Sequence, residues 1–228
     1  MWKYPDDNTR AVITAKEHIR SGHNPQNLCL PQTAVLFYMH SGEEYLRQNY
    51  PTHLLCEKLP RFLRGCPVYQ FDLDNHFCFL DGGRGAPQAV DTLETLAALG
   101  VKTIVTVGMF GAFVENVNSG DIIIPNKAFV EEGTSLHYYD FIEYSVPSPS
   151  LYQRAVKEIT SAKSLPIIST DAVYRQTFWK EHLWREKGAV GVDMETSALF
   201  SVGSFLGVDV VSVLIASDKH PLREEDPA

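Results

Sequence analysis

The sequence predicts an α/β fold with a largely parallel sheet and helices on both faces. Three observations predict it. Short apolar or β-branched runs alternate with segments of helical periodicity. Glycine-rich turns fall where strand-like runs pass into helix-like ones. The 228 residues, 44% hydrophobic and 21% charged, have ordinary globular composition and enough length for one large domain spanning 1–228, with 1–79 the least clearly assigned part.

Taken in order, residues 34–39 (AVLFYM) form a short strand, and His40-Ser41-Gly42-Glu43-Glu44 a turn feeding a helix. Residues 54–59 are a weaker strand. Residues 68–73 and 77–80 read as strands around a turn at Asp74-Asn75. Ala89, Val90, Leu93, Leu96 and Ala97 have helical spacing, and Gly100 stops that helix. Residues 102–107 (KTIVTV) are a central strand that Gly108-Met109-Phe110-Gly111 ends. Strands follow at 121–125 and 167–170, and helices at 151–160 and 178–187, the latter closed by Gly188. Gly191-Val192-Asp193-Met194-Glu195 ends a short strand and opens a helix to Leu206, and 208–216 is the last strand.

Composition excludes several function classes. A net charge of −8 argues against nucleic acid as the main partner. No run approaches a membrane span, and the N-terminal MWKYPDDNTR lacks an apolar signal core, so the expected location is cytoplasmic. Cys29, Cys56, Cys66 and Cys78 form no CxxC pair, which argues for buried thiols rather than a metal site.

Ligands of parallel sheets bind beyond the carboxyl ends of the strands, and four motifs fall there. Gly83-Arg84-Gly85-Ala86-Pro87 joins a strand to a helix. Its amides and the helix dipole suit an anion, although a packing turn explains the same residues. Asp193 and Glu195 flank Met194; a carboxylate there accepts bonds from a vicinal diol, or caps the helix with an acidic first turn. The two point in different directions, so one of them is expected to face a ligand. Asp218, after the last strand, suits a proton donor or a turn. Gly133-Thr134-Ser135-Leu136-His137 offers hydroxyls and an imidazole on a loop.

In this order these residues resemble the nucleoside phosphorylase and uridine phosphorylase superfamily, over about three-fifths of the chain from Leu80 to Asp218. The glycine loop resembles its Gly-x-Gly-Gly-Pro phosphate loop. Residues 99–108 resemble its central strand, and Gly120-Asp121 and the following strand its next one. Val192-Asp193-Met194-Glu195 resembles its Glu-Met-Glu signature. Ser217-Asp218 is similar to the pair in purine-acting members, whereas 132–137 resemble uridine phosphorylases. The resemblance implies a three-layer αβα sandwich with a mixed sheet bent towards a barrel. It also implies phosphorolysis of a nucleoside, purine favoured over uridine, to free base and ribose 1-phosphate.

By the same resemblance Glu195 binds the ribose hydroxyls, Met194 packs on the sugar, and Asp218 acts at N7 of a purine. Val173 and Tyr174 sit beside the base. Met109 and Phe110 line the sugar-phosphate end, and His137 joins the substrate-binding group. Gly83, Arg84, Gly85 and Thr106 form the phosphate group. The implied partners are a nucleoside and inorganic phosphate as co-substrate, without cofactor or metal, in a homodimer or homohexamer. The chain departs from the family in having no Gly-Asp-Pro-x-Arg loop near its start and Thr106 where an arginine is usual. Arg84 is the first substitute, with Arg47, Arg61 and Arg64 behind it. No glutamine–arginine pair for uracil follows Tyr174, and the chain ends ten residues after Asp218, where relatives usually add a helix. The alternatives are a nucleosidase using water, favoured by the missing arginines, and a non-catalytic nucleoside-binding relative.

Overall fold

The structure, a computed structural model, describes residues 9–23, 28–39 and 41–226. Its elements are α1 (Ala15–His18), β1 (Thr33–Tyr38), α2 (Gly42–Asn49), β2 (Thr52–Cys56), β3 (Val68–Phe71), β4 (Asp74–Asp81) and α3 (Ala86–Ala98). There follow β5 (Thr103–Ala112), β6 (Ile122–Ile123), β7 (Ala128–Glu131), β8 (Tyr144–Ser145), α4 (Pro149–Glu158), β9 (Ile167–Thr170), α5 (Phe178–Glu186), β10 (Gly191–Asp193), α6 (Thr196–Leu206) and β11 (Asp209–Lys219).

One mixed sheet, with helices flanking it, is organised around β5. Along one edge β5 pairs in parallel with β11, from Asp209 opposite Thr103 to Lys219 opposite Ala112. Its other edge is shared. β1 runs parallel to it from Thr103 to Gly108, and β10 then takes over antiparallel, with Val192 opposite Gly111. Two wings therefore leave one edge of β5, through β4, β3 and β2 on one side and through β9, β7 and β8 on the other.

The helices follow their local signals. Pro87 in the first turn of α3 loses no needed donor, and Gly100 at φ +97° ends the helix in a conformation that L side chains rarely adopt. Leu93 and Leu96 of α3 and Leu199, Phe200 and Val202 of α6 belong to the main core with Leu36, Leu80 and Ile104. Thr196 to Gly203 of α6 are buried without a break, which makes it an interior helix rather than an amphipathic surface one. A second core gathers Phe113, Phe129, Ile168 and Trp184 beneath α5.

Several expectations need correction. The β3–β4 turn is Asp72-Leu73, because Asp74 already pairs with Phe71. β5 does not stop at Gly108; pairing on both edges satisfies its backbone as far as Ala112. β11 runs through Asp218, with a bulge at Ser217. β7 and β8 were not expected; each is short and finds its pairing only in the wing. Cys56, Cys66 and Cys78 are buried, but Cys29 is exposed. His40 lies outside the described residues. Among those described, no helix is long and apolar enough to cross a membrane.

Candidate active site

The glycine loop and the start of α6 meet. The Gly85 amide donates to Glu195 Oε1 at 2.7 Å, although the residues are far apart in sequence. Gly85 is the residue before α3 and has φ +76°, so its lack of Cβ allows the turn that aims this amide. The Glu195 carboxylate thus occupies the head of α3, where a helix dipole favours negative charge. It is only 8% exposed. Burial raises its pKa to about 7, with the nearby Asp193 charge adding to the rise; the Gly85 and Met194 amides and Arg84 pull it down.

Asp193 takes the structural part. Its carboxylate accepts from Ser169 Oγ and from the Thr196 amide and hydroxyl, which anchors the start of α6 to β9. Burial raises its pKa against those bonds. Further buried hydroxyls extend the network: the Ser197 amide donates to Ser169 Oγ at 2.9 Å, and Ser197 Oγ to Glu132 Oε1 at 3.0 Å. The two carboxylates of the motif do diverge, and Glu195 is the one that reaches the glycine loop.

Asp218 stands on β11 opposite Gly111. Its side chain is 58% exposed, so the dry pocket expected for a proton donor does not surround it. Ser217 Oγ donates to Asp218 Oδ1, and His220 Nε2 lies 3.2 Å from Asp218 Oδ2. The other imidazole nitrogen is 2.7 Å from Oε1 of the buried Glu181 on α5. Among the described residues Asp218 and Glu195 share no bonded partner: the structure brings Gly85 and Glu195 together directly, but joins Asp218 to His220 instead.

The remaining predicted residues separate. Phe110 is 2% exposed and part of the core, so it lines no opening. Thr106 is closed to solvent and donates to Ser212 Oγ at 2.7 Å, which turns it into the sheet packing rather than towards an anion. The loop amides are taken as well: Gly83 donates to Asp81 Oδ1 at 2.6 Å and Arg84 to Gln88 Oε1 at 2.9 Å. The Arg84 guanidinium folds back on Gly83 O at 2.6 Å and lies 3.5 Å from Asp81. Arg47 pairs with Glu43 at 3.1 Å, and Arg61 is buried, donating to Asp81 O and to Thr92. Met109, Met194 and Val173 are at least partly exposed and Tyr174 almost wholly so. His137 lines a cavity of about 490 Å³ with Phe62, Pro87, Val90 and Tyr138, a lining that does not include Glu195.

Sequence reasoning missed Tyr38, His220 and Glu181. Tyr38 ends β1 opposite Gly108; its buried hydroxyl has no hydrogen-bond partner among the described residues. Its pKa is raised well above the usual value, by burial first and then by the Glu195 charge. Nothing local marks it, since it reads as one more apolar strand residue. Among the described residues no group of three or more His, Cys, Asp or Glu side chains could hold a metal ion.

The mixed, largely parallel sheet with flanking helices defines an α/β protein, with a glycine loop and a buried glutamate meeting at a helix head. The phosphorylase superfamily profile matches residues 42–228, and the chain belongs to that superfamily. It is 28% identical over 153 residues to a DeoD-type purine nucleoside phosphorylase of Clostridium novyi (strain NT), covering 64% of this chain and 65% of the relative. It is 30% identical over 150 residues to one from Dichelobacter nodosus (strain VCS1703A), covering 63% and 62%. A guanosine phosphorylase of Halorubrum lacusprofundi is 28% identical over 133 residues, covering 55% of this chain and 54% of the relative. The chain thus spans less than two thirds of the length of these relatives.

Proposed function

We propose that this protein is a nucleoside phosphorylase, cleaving the N-glycosidic bond with inorganic phosphate to give free base and ribose 1-phosphate, with a purine the favoured base. The observation that carries the proposal is the Glu195 carboxylate, held at the head of α3 by Gly85 in a chain of this superfamily. As the bond from C1′ to the base breaks, its electron pair goes to the base and positive charge grows on the ribose. Glu195 accepts from the ribose hydroxyls, and phosphate bonds to C1′ as it becomes electron-poor. Asp218 hands a proton to the base nitrogen. The names of the relatives support the purine choice. The same proposal extends to a homo-oligomer in the cytoplasm, working without metal or organic cofactor.

One observation favours a second reading, hydrolysis by water. The amides of Gly83, Arg84 and Gly85 already donate to Asp81, Gln88 and Glu195, so an incoming phosphate must displace them. Incubating the purified protein with purine and pyrimidine nucleosides, with and without phosphate, separates the two. Base release that requires phosphate supports phosphorolysis, release without it supports hydrolysis, and binding without release overturns both.

A further inference from the structure

We infer that His220, held by Glu181, is the proton source that recharges Asp218, an inference that rests on the nucleoside-cleaving role proposed above. The Asp218 side chain is 58% exposed, and the side chain of His220 is the nearest titratable group placed to pass it a proton. His220 sits at the right place. Nδ1 lies 2.7 Å from Glu181 Oε1, and Nε2 lies 3.2 Å from Asp218 Oδ2, so the imidazole bridges a buried carboxylate and an exposed one. Glu181 is itself 3.8 Å from the Arg185 guanidinium one turn further along α5. The backbone makes room for the bridge: a Cβ at residue 111 would stand 2.3 Å from His220 Nε2, so glycine there is a condition of the ring's position.

The proton count closes. Imidazolium is favoured first by the bond to Glu181 and next by its charge, with Asp218 adding to both, so the His220 pKa is raised. The Nε2 proton crosses to the Asp218 carboxylate, and the carboxyl so formed gives that proton to the departing base, leaving Asp218 ionised and His220 neutral. Neutral imidazole keeps its Nδ1–H on Glu181, and solvent returns one proton after the base has left. Glu181 touches no substrate; it is a positioning residue.

The test compares wild type, His220→Gln and Glu181→Gln over a range of pH. Activity carried by imidazolium falls as pH rises through the His220 pKa. Glu181→Gln is expected to move that alkaline limb to lower pH, and His220→Gln to remove it and lower turnover about a hundredfold. In parallel, NMR titration of the His220 ring in the unliganded protein is expected to show a raised pKa that falls in Glu181→Gln. An unchanged limb in folded Glu181→Gln, or an unraised ring pKa in the wild type, overturns the relay. If the wild type releases no base from any nucleoside, the phosphorylase reading is what fails. The ring titration then still decides whether Glu181 and Asp218 hold a proton on His220.

Discussion

The amide of Gly85 donates to the carboxylate of Glu195 at 2.7 Å, and this one bond ties the first turn of α3 to the residue preceding α6. Glutamine keeps the acceptor for that amide and removes only the charge. Glu195→Gln is therefore expected to fold normally and to lower turnover by about two to three orders of magnitude. Base release under saturating nucleoside measures it, and near-normal turnover in a folded variant removes Glu195 from the reaction.

Glu195 also makes stability depend on pH. Burial first, and then the Asp193 charge, raises its pKa from 4.5 to about 7 in the folded chain. Between those values the folded state holds a proton that the unfolded state has released, so stability falls as pH rises through the window. At roughly 1.4 kcal/mol per unit the full loss above pH 7 is about 3 kcal/mol. Urea unfolding at pH 5 and pH 8 should show Glu195→Gln gaining on the wild type between the two. A pH-independent difference contradicts the raised carboxyl.

Thr106 was expected in the phosphate group, yet its hydroxyl is buried against Ser212. Thr106→Val should cost about 1 kcal/mol of stability, the worth of one buried hydrogen bond. The Michaelis constant for phosphate should not move. A severalfold rise in that constant would return Thr106 to the anion site.

The Tyr38 hydroxyl is buried without a partner among the described residues, an arrangement that costs free energy. Tyr38→Phe removes the orphan donor and keeps the ring, so thermal unfolding should show a gain of about 1 kcal/mol. A loss of stability instead would reveal a partner for the phenol in the folded chain.

The parts legible in the sequence are those with local causes. The apolar runs marked β1 and β9 nearly to the residue, and helical spacing with Gly100 and Gly188 as stops marked α3 and α5. Asp193 and Glu195 were both visible as candidates, since two carboxylates around a methionine at a strand end are unusual. The two were also expected to differ in direction. It did not say which of them would cap α6 and which would reach the glycine loop.

That division, the length of β5, the burial of Phe110 and Thr106, and the setting of Asp218 belong to the tertiary structure. β5 continues past two glycines because β10 and β11, encoded about eighty residues and more downstream, satisfy its backbone on both edges. Asp218 meets His220, and His220 meets Glu181 from a separate helix. Propensity and periodicity register forces between near neighbours in the chain. The hydrogen bonds that join Gly85 to Glu195 and Glu181 to His220 link residues far apart in the chain, and only the fold brings them together.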